Sequence, residues 1–305
     1  MRVSERLRSH IAQALAQSMD VELMEKLAAR VMPGYDLHDR SGFPPNIPVP
    51  QASAAHQIVM DMAREGYVRR FTEVLIEVTN NGVMGRTVPV RVLPQIIKEI
   101  EALGYEFKEE YGIFVEAGQG GKTKGWGIMR QESVYDLSFL RMDIVGNTEL
   151  VRRHSRPVVT QVYDEIRQIF TGVVEKREGR LWQWEGDGGT AAFYFGAKNV
   201  QATLGGMEFL QELFMYNLLR CPFSRPVHTR LAVHTGPCQF LEDFKEIRSD
   251  TLRRLEIIEG EFAEADSLVV SPGVYSDMGN KLDTFFKPIQ VSRHNLLYKY
   301  KLVWE

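Results

Sequence analysis

The chain has 305 residues, with 37 Lys and Arg against 40 Asp and Glu and a formal net charge of −3. That balance excludes a general polyanion binder, which would carry a basic excess on one face, so no nucleic-acid partner is expected and any phosphate binding is local. The length suits two domains and the 44% apolar content a globular protein. No apolar run approaches the roughly 20 residues of a membrane span, and the polar start MRVSERLRSH is unlike a signal peptide, so a cytoplasmic location off the membrane is expected. Cys221 and Cys238, too few for a disulfide framework and not spaced as a zinc site, read as reduced packed thiols.

The first third reads as helical. Leu7, Ile11, Ala14 and Leu15 recur at helical spacing, and after Asp20, an N-cap candidate, Met24, Leu27, Ala28 and Val31 do so until Pro33-Gly34. The stretch from Gly42 to Pro50 holds four prolines in nine residues and reads as a loop or semi-rigid linker. Ile58, Val59 and Met62 mark a further helix ending at Gly66, followed by a short apolar stretch, Phe71 to Val78. Another helix is predicted from Pro94 through Ile97, Ile100 and Leu103 to Gly104, and YEFKEEYGIFVE then alternates as a hairpin.

Ala117 to Gly127, with five glycines in eleven residues, reads as a flexible connector. Its Gly121-Lys122-Thr123 has the look of the end of a phosphate-binding P-loop, but Glu116 stands where that motif needs a glycine and would repel a triphosphate. The boundary is therefore set there: residues 1–130 as a mainly helical N-terminal region and 131–305 as a second domain.

From Ser138 strands alternate with helices. SFLRMDIV is a buried strand, Thr148 to Val174 is helical, GRLWQWEGDGGTAAFYFG is two strands around a Gly-Asp-Gly turn, and Asn199 to Leu219 is helical. VHTRLAVHTG is a strand with His228, Arg230, Ala232 and His234 on one side. Thr251 to Ala263 is helical, LVVS is a short strand, and TFFKPIQV and LYKYKLVW close the chain as strands. This order predicts an α/β sandwich of the ferredoxin-like kind, an α+β fold.

Two aspartates stand out. Asp143 ends an apolar strand and is followed by Ile144-Val145-Gly146-Asn147-Thr148, a turn into a helix whose backbone N–H groups suit an anion. Asp187 sits between Gly186 and Gly188 at a hairpin tip, where the backbone bends and a ligand can come close. If the strands are neighbours, the carboxylates converge, and two carboxylates beside a phosphate-binding turn are what divalent metals require. Either residue alone reads more simply as a helix cap, for Asp143, or a turn residue, for Asp187.

Taken together, FLRMDIVGNTEL, GRLWQWEGDGGTAAF and VHTRLAVHTGPC resemble, in order and spacing, the three signature blocks of class III nucleotidyl cyclases. The resemblance covers about residues 133 to 305 and extends to ADSLVVSPGVY. It implies that Asp143, Asp187 and the carbonyl of Ile144 hold two divalent ions, Mn2+ or Mg2+, and that Gly146, Asn147 and Thr148 offer backbone groups to the phosphates. It also implies a homodimer with each site shared between protomers. Three departures stand beside it. Asn147 replaces a usual Phe. Gln183, four before Asp187, replaces the Lys of adenylyl or the acidic residue of guanylyl cyclases, and as an amide fits neither purine rule. The Asn and Arg of one family helix have no clean match in SDTLRRLEIIEGEF, where Arg253 and Arg254 are the nearest cations; Arg254 is taken for the transition-state role, the alternative being a solvated face.

Retained metal aspartates without purine signatures resemble the pyrimidine cyclases of bacterial Pycsar anti-phage systems. That implies conversion of UTP to cyclic UMP as a second messenger read by a separate cyclic-nucleotide-responsive effector in antiviral defence. The alternatives are a cytidylate cyclase, a divergent adenylyl or guanylyl cyclase, and a catalytically silent cyclase-like regulatory module. Strand parity sets Trp182 and Trp184 opposite Gln183 and Glu185. His228 and His234 are six apart on one strand, about 20 Å, too far for one ion, and read as ordinary strand histidines. Lys299 and Lys301 either reach a triphosphate or sit solvated on an edge strand. The N-terminal region is read as a sensor, adaptor or regulatory cover.

Overall fold

In the computed structural model, which describes residues 3–44, 46–83, 85, 87–117, 122–292 and 295–302, the chain divides between Lys122 and Thr123 into two units. Much of the Gly-rich connector, Gly118 to Gly121, and with it the P-loop-like Gly121, lies outside the described residues, as do Pro45 of the proline-rich loop and the last residues of LYKYKLVW.

The first unit is built on amphipathic helices: α1 (Glu5–Ser18), α2 (Val21–Val31), α3 (Leu37–Ser41), α4 (Gln51–Arg64), α5 (Val68–Asn81) and α6 (Leu93–Glu101). The Ser4 hydroxyl accepts the Leu7 N–H at 3.1 Å and the Asp20 carboxylate the Leu23 N–H at 2.9 Å, each satisfying an N–H that the first helical turn leaves unbonded. The apolar positions read from spacing, among them Leu7, Ile11, Leu15, Met24, Leu27, Ile58, Met62 and Ile100, form one core. The Phe71 to Val78 stretch lies inside α5, whereas Leu103 falls beyond the end of α6 and is exposed. Strands β1 (Tyr105–Lys108) and β2 (Ile113–Glu116) form the expected antiparallel hairpin. Glu73 on α5 holds it by accepting the Phe114 N–H at 3.0 Å.

The second unit carries β3 (Val134–Ile144), α7 (Asn147–Arg153), α8 (Arg156–Lys176), β4 (Arg180–Glu185), β5 (Gly188–Phe193), α9 (Lys198–Leu219), β6 (Thr229–Gln239), α10 (Asp250–Ile257), β7 (Ser267–Val270), α11 (Pro272–Ser276), α12 (Gly279–Leu282), β8 (Lys287–Ser292) and β9 (Asn295–Lys301). Seven strands form one sheet in the order β4-β5-β3-β6-β7-β9-β8, antiparallel except for the β6–β7 pair. The first four strands in this order follow the β-α-β-β-α-β connection, so the expected ferredoxin-like α+β architecture is present, preceded by the helical region. Helices α8 and α9 cover one face through Ile166, Phe170, Phe209 and Leu213; α10 covers the other through Leu252 and Leu255.

Several local expectations change. The run from Thr148 to Val174 is two helices, because Pro157 has no N–H to give and is tolerated only in a first turn, so the chain restarts at Ser155. Helix α10 stops at Ile257 and continues as one π turn, Ile258–Phe262, a wider turn that places Glu259 in the interior. Strand β9 lies between β7 and β8 rather than at an edge, and both Lys299 and Lys301 pair with Glu264, at 2.6 and 3.1 Å. Trp126, inside the stretch read as a flexible connector, is instead fully buried in the second unit and donates its Nε1–H to the Glu178 carbonyl at 2.7 Å. No helix among the described residues is long and apolar enough to cross a membrane.

Candidate active site

Asp143 reaches its place through the register of the central strand. On β3 it stands opposite Arg230 of β6, whose Nη2 donates to Asp143 Oδ2 at 2.8 Å. On the other side β5 begins at Gly188; a Cβ there would lie 2.9 Å from the Met142 carbonyl oxygen and 3.1 Å from Asp143 Oδ1, so only glycine admits this approach. Gly186 precedes Asp187 in a two-residue turn with φ +58°, the positive value that such a hairpin asks of its first central residue. The hairpin thus delivers Asp187 beside Asp143. Desolvation at the tip, then the charge of Asp143, pushes the Asp187 carboxyl above the usual carboxylate range.

Ile144, Gly146, Asn147 and Thr148 follow directly. Gly146, at φ +70°, turns the chain into α7, and the Asn147 and Thr148 N–H groups belong to its first turn, which intrahelical carbonyls leave unsatisfied. The Asn147 side chain joins the site itself: its Oδ1 accepts the Tyr163 hydroxyl of α8, and its amide lies close enough to the Asp187 carboxylate to draw that carboxyl's pKa down against the burial. Desolvation and the two nearby carboxylates push the Tyr163 phenol up to about 12.

Behind Asp143 runs a charge network centred on one buried carboxylate. Glu259, 5% exposed, is ion-paired with Arg230 Nε and accepts from Arg141 Nε at 3.2 Å. Burial pushes its carboxyl up against the opposing pull of Arg230 and Arg141. Arg141 also donates to Thr190 Oγ1 at 3.3 Å. The sequence listed Arg230 only as one member of a strand face, and neither Glu259, Arg141 nor Tyr163 carried a signal: Glu259 sits in a charge-rich run that reads as helix surface.

Gln183 lines a cavity of about 360 Å³ between β4, β5 and α10, with Arg141, Thr190, Phe244, Arg248 and Arg253. A β-bulge between Leu181 and Gln183 breaks the parity assumed above. Trp182 therefore packs on the α10 side with Phe139 and Phe240, the side of Gln183, while Trp184 packs on the α8 side against Phe170. Arg254 is not in that cavity's lining; it faces His234 on β6, and with burial it drives the His234 imidazole down to about 4. His234 Nδ1 lies 2.8 Å from Ser271 Oγ, and His228 pairs with Asp266 at 2.6 Å.

Among the described residues no three His, Cys, Asp or Glu side chains gather in a metal-ligand group. Two hard carboxylates suit a divalent ion completed by its substrate rather than a closed protein cage.

No protein-family model and no curated protein sequence matches the chain. Solved structures of cyclase domains do match, over somewhat more than half of the chain. The catalytic core of a rhodopsin-guanylyl cyclase with converted specificity, in complex with ATPαS, is 13% identical, covering 57% of this chain and 99% of its own, with a TM-score of 0.49. The dimeric guanylyl cyclase domain of the RhoGC fusion protein from the aquatic fungus Blastocladiella emersonii is 13% identical over 56% of this chain and 97% of its own, with a TM-score of 0.48. The adenylyl cyclase CyaB from P. aeruginosa is 19% identical over 57% and 96%, with a TM-score of 0.47. At these identities the likeness is one of chain path, not of substrate.

Proposed function

We propose that the chain is a nucleotidyl cyclase that converts a pyrimidine nucleoside triphosphate, UTP in preference to CTP, into the 3′,5′-cyclic monophosphate and diphosphate. The observation that carries this reading is the convergence of Asp143 and Asp187 beside the Gly146 turn, with Arg230 on one flank and the Gln183 cavity nearby.

Asp143, Asp187 and the Ile144 carbonyl would hold the divalent ions, Mn2+ or Mg2+, which when bound supply Lewis-acid charge that eases ionisation of the ribose 3′-hydroxyl and stabilises the attack on the α-phosphorus. In the reaction the 3′-oxygen bonds to the α-phosphorus, the bond to the bridging oxygen breaks, and diphosphate leaves with that electron pair. Arg230, held by Asp143 and Glu259, keeps fixed positive charge at the site without reorganising. The N–H groups of Gly146, Asn147 and Thr148 face the phosphates. Gln183 reads the base edge, where an amide donates and accepts as a pyrimidine edge demands.

The active species in this reading is a cytoplasmic homodimer, residues 131–305 forming the catalytic domain and 1–130 a sensor or regulatory region. The product acts as a second messenger to a separate effector in anti-phage defence. The test is incubation of the purified chain with Mn2+ and each of UTP, CTP, ATP and GTP, followed by separation of cyclic products. Cyclic UMP with diphosphate, lost in Asp187→Ala, is the expected result; cyclic AMP or cyclic GMP as main product defeats the pyrimidine assignment, and no cyclic product from a folded protein defeats the cyclase reading.

A further inference from the structure

Asp187 stands at the tip of a two-residue turn on the outermost strand pair of the sheet, where few backbone bonds hold it. One face of α8 supplies the missing restraint. Tyr163, Arg167 and Phe170 are spaced i, i+4, i+7 and so share that face. Phe170 packs on Trp184 with ring centroids 5.9 Å apart, and the Arg167 guanidinium lies over the same indole at 5.9 Å. Trp184 in turn lies under Gly189, where a Cβ would come within 2.4 Å of the indole. The body of the hairpin is thereby fixed against the helix.

Tyr163 extends the grip to the tip. Its hydroxyl donates to Asn147 Oδ1, and the Asn147 amide meets the Asp187 carboxylate. A primary amide has one donating end and one accepting end. With Oδ1 occupied by the Tyr163 proton, the end facing Asp187 is the N–H. Turned over, the amide would set its oxygen against a carboxylate.

We propose that Tyr163 and Asn147 form a positioning relay, in which the tyrosine hydroxyl fixes the polarity of the asparagine amide and the amide orients the Asp187 carboxylate for a divalent cation. The relay rests on the reading of Asp143 and Asp187 as metal ligands. Neither residue is catalytic; both act through Asp187, as outer-shell hydrogen bonds to metal ligands do, with effects of about 10- to 100-fold on metal affinity.

The test uses the full chain and Mn2+ alone as probe, with binding read from the electron paramagnetic resonance signal of free Mn2+, and turnover of UTP measured against Mn2+ concentration. Tyr163→Phe is expected to weaken Mn2+ binding about tenfold and to raise the Mn2+ needed for half-maximal turnover equally, with the UTP KM at saturating Mn2+ and the thermal midpoint unchanged. Asn147→Leu is expected to weaken binding at least as much, and Tyr163→Phe added to it to cost nothing further, since the tyrosine acts only through the amide. Wild-type protein that binds Mn2+ while Tyr163→Phe binds it equally well overturns the relay and leaves the cyclase reading standing, as do additive losses in the double variant. Folded wild-type protein that binds no Mn2+ and forms no cyclic product from any nucleoside triphosphate in its presence overturns both.

Discussion

Each unit takes an aspartate out of bulk water, and the two environments differ in kind. Asp61 of α4 has a side chain 0% exposed and accepts the Tyr35 hydroxyl at 2.9 Å and the Gln57 amide at 3.0 and 3.1 Å, with Arg64 at 3.7 Å. Its lone pairs are used, and burial, followed by the bond to Asp61, pushes the Tyr35 phenol well up. Asp143, 23% exposed, is bonded by Arg230 on one flank, and next to it stands a second carboxylate whose charge it opposes. A carboxylate enclosed by donors is a structural post. A pair held from behind and facing each other in front gains from further positive charge, and that difference separates a site from a core.

The comparison can be broken in four ways. The largest effect is expected from Asp187→Asn, which keeps shape and removes charge: turnover should fall about a hundredfold to a thousandfold, some 3–4 kcal/mol, with the folded structure intact by circular dichroism. Next comes Glu259→Gln, which replaces the buried carboxylate shared by the partly exposed Arg230 and Arg141 with a neutral amide. It should cost about 3 kcal/mol of second-unit stability, read from urea unfolding by tryptophan fluorescence, because all four tryptophans lie after residue 122. Asp61→Ala should destabilise the first unit by about 2–3 kcal/mol through the unpaired Tyr35 and Gln57, visible in helical ellipticity while the tryptophan transition and turnover stay in place. If Asp61→Ala instead abolished turnover, the division into post and site would fail.

The smallest effect concerns pH. The His234 imidazole is held down to about 4 in the folded chain, first by burial and then by Arg254, against about 6.5 unfolded. The unfolded chain therefore takes up a proton that the folded chain refuses. Stability is full above pH 6.5 and declines as pH falls toward 4, by about 2 kcal/mol at pH 5. Denaturant midpoints of wild type and His234→Asn at pH 7.5 and pH 5 should diverge by that amount; parallel curves would remove His234 from the account.

Much of the fold was legible because periodicity records burial: Leu7, Ile11 and Leu15 or Ile58 and Met62 face a core wherever their helices pack. The helix break at Pro157 was legible in principle from its missing N–H but was overridden by the apolar spacing on both sides. The bulge beside Gln183 was not legible, since one extra residue in a strand leaves no mark in composition, yet it moves Trp182 to the side of the sheet that holds the cavity. Glu259 was hidden because a π turn buries it within a run that reads as solvated helix.

The sequence by itself determined the two-part chain, the helical N-terminal region, the strand-helix alternation and the pair of aspartates at a strand end and a hairpin tip. All of these follow from local propensities, turn chemistry and short-range spacing. Only the tertiary structure decided which groups stand next to those aspartates. Arg230 meets Asp143 through strand register, Glu259 reaches Arg230 through a π turn, and Tyr163 reaches Asp187 through Asn147 across a helix packed on the sheet. Such contacts join residues 16 to 87 positions apart, and a chain's local preferences do not encode which of its distant segments come together.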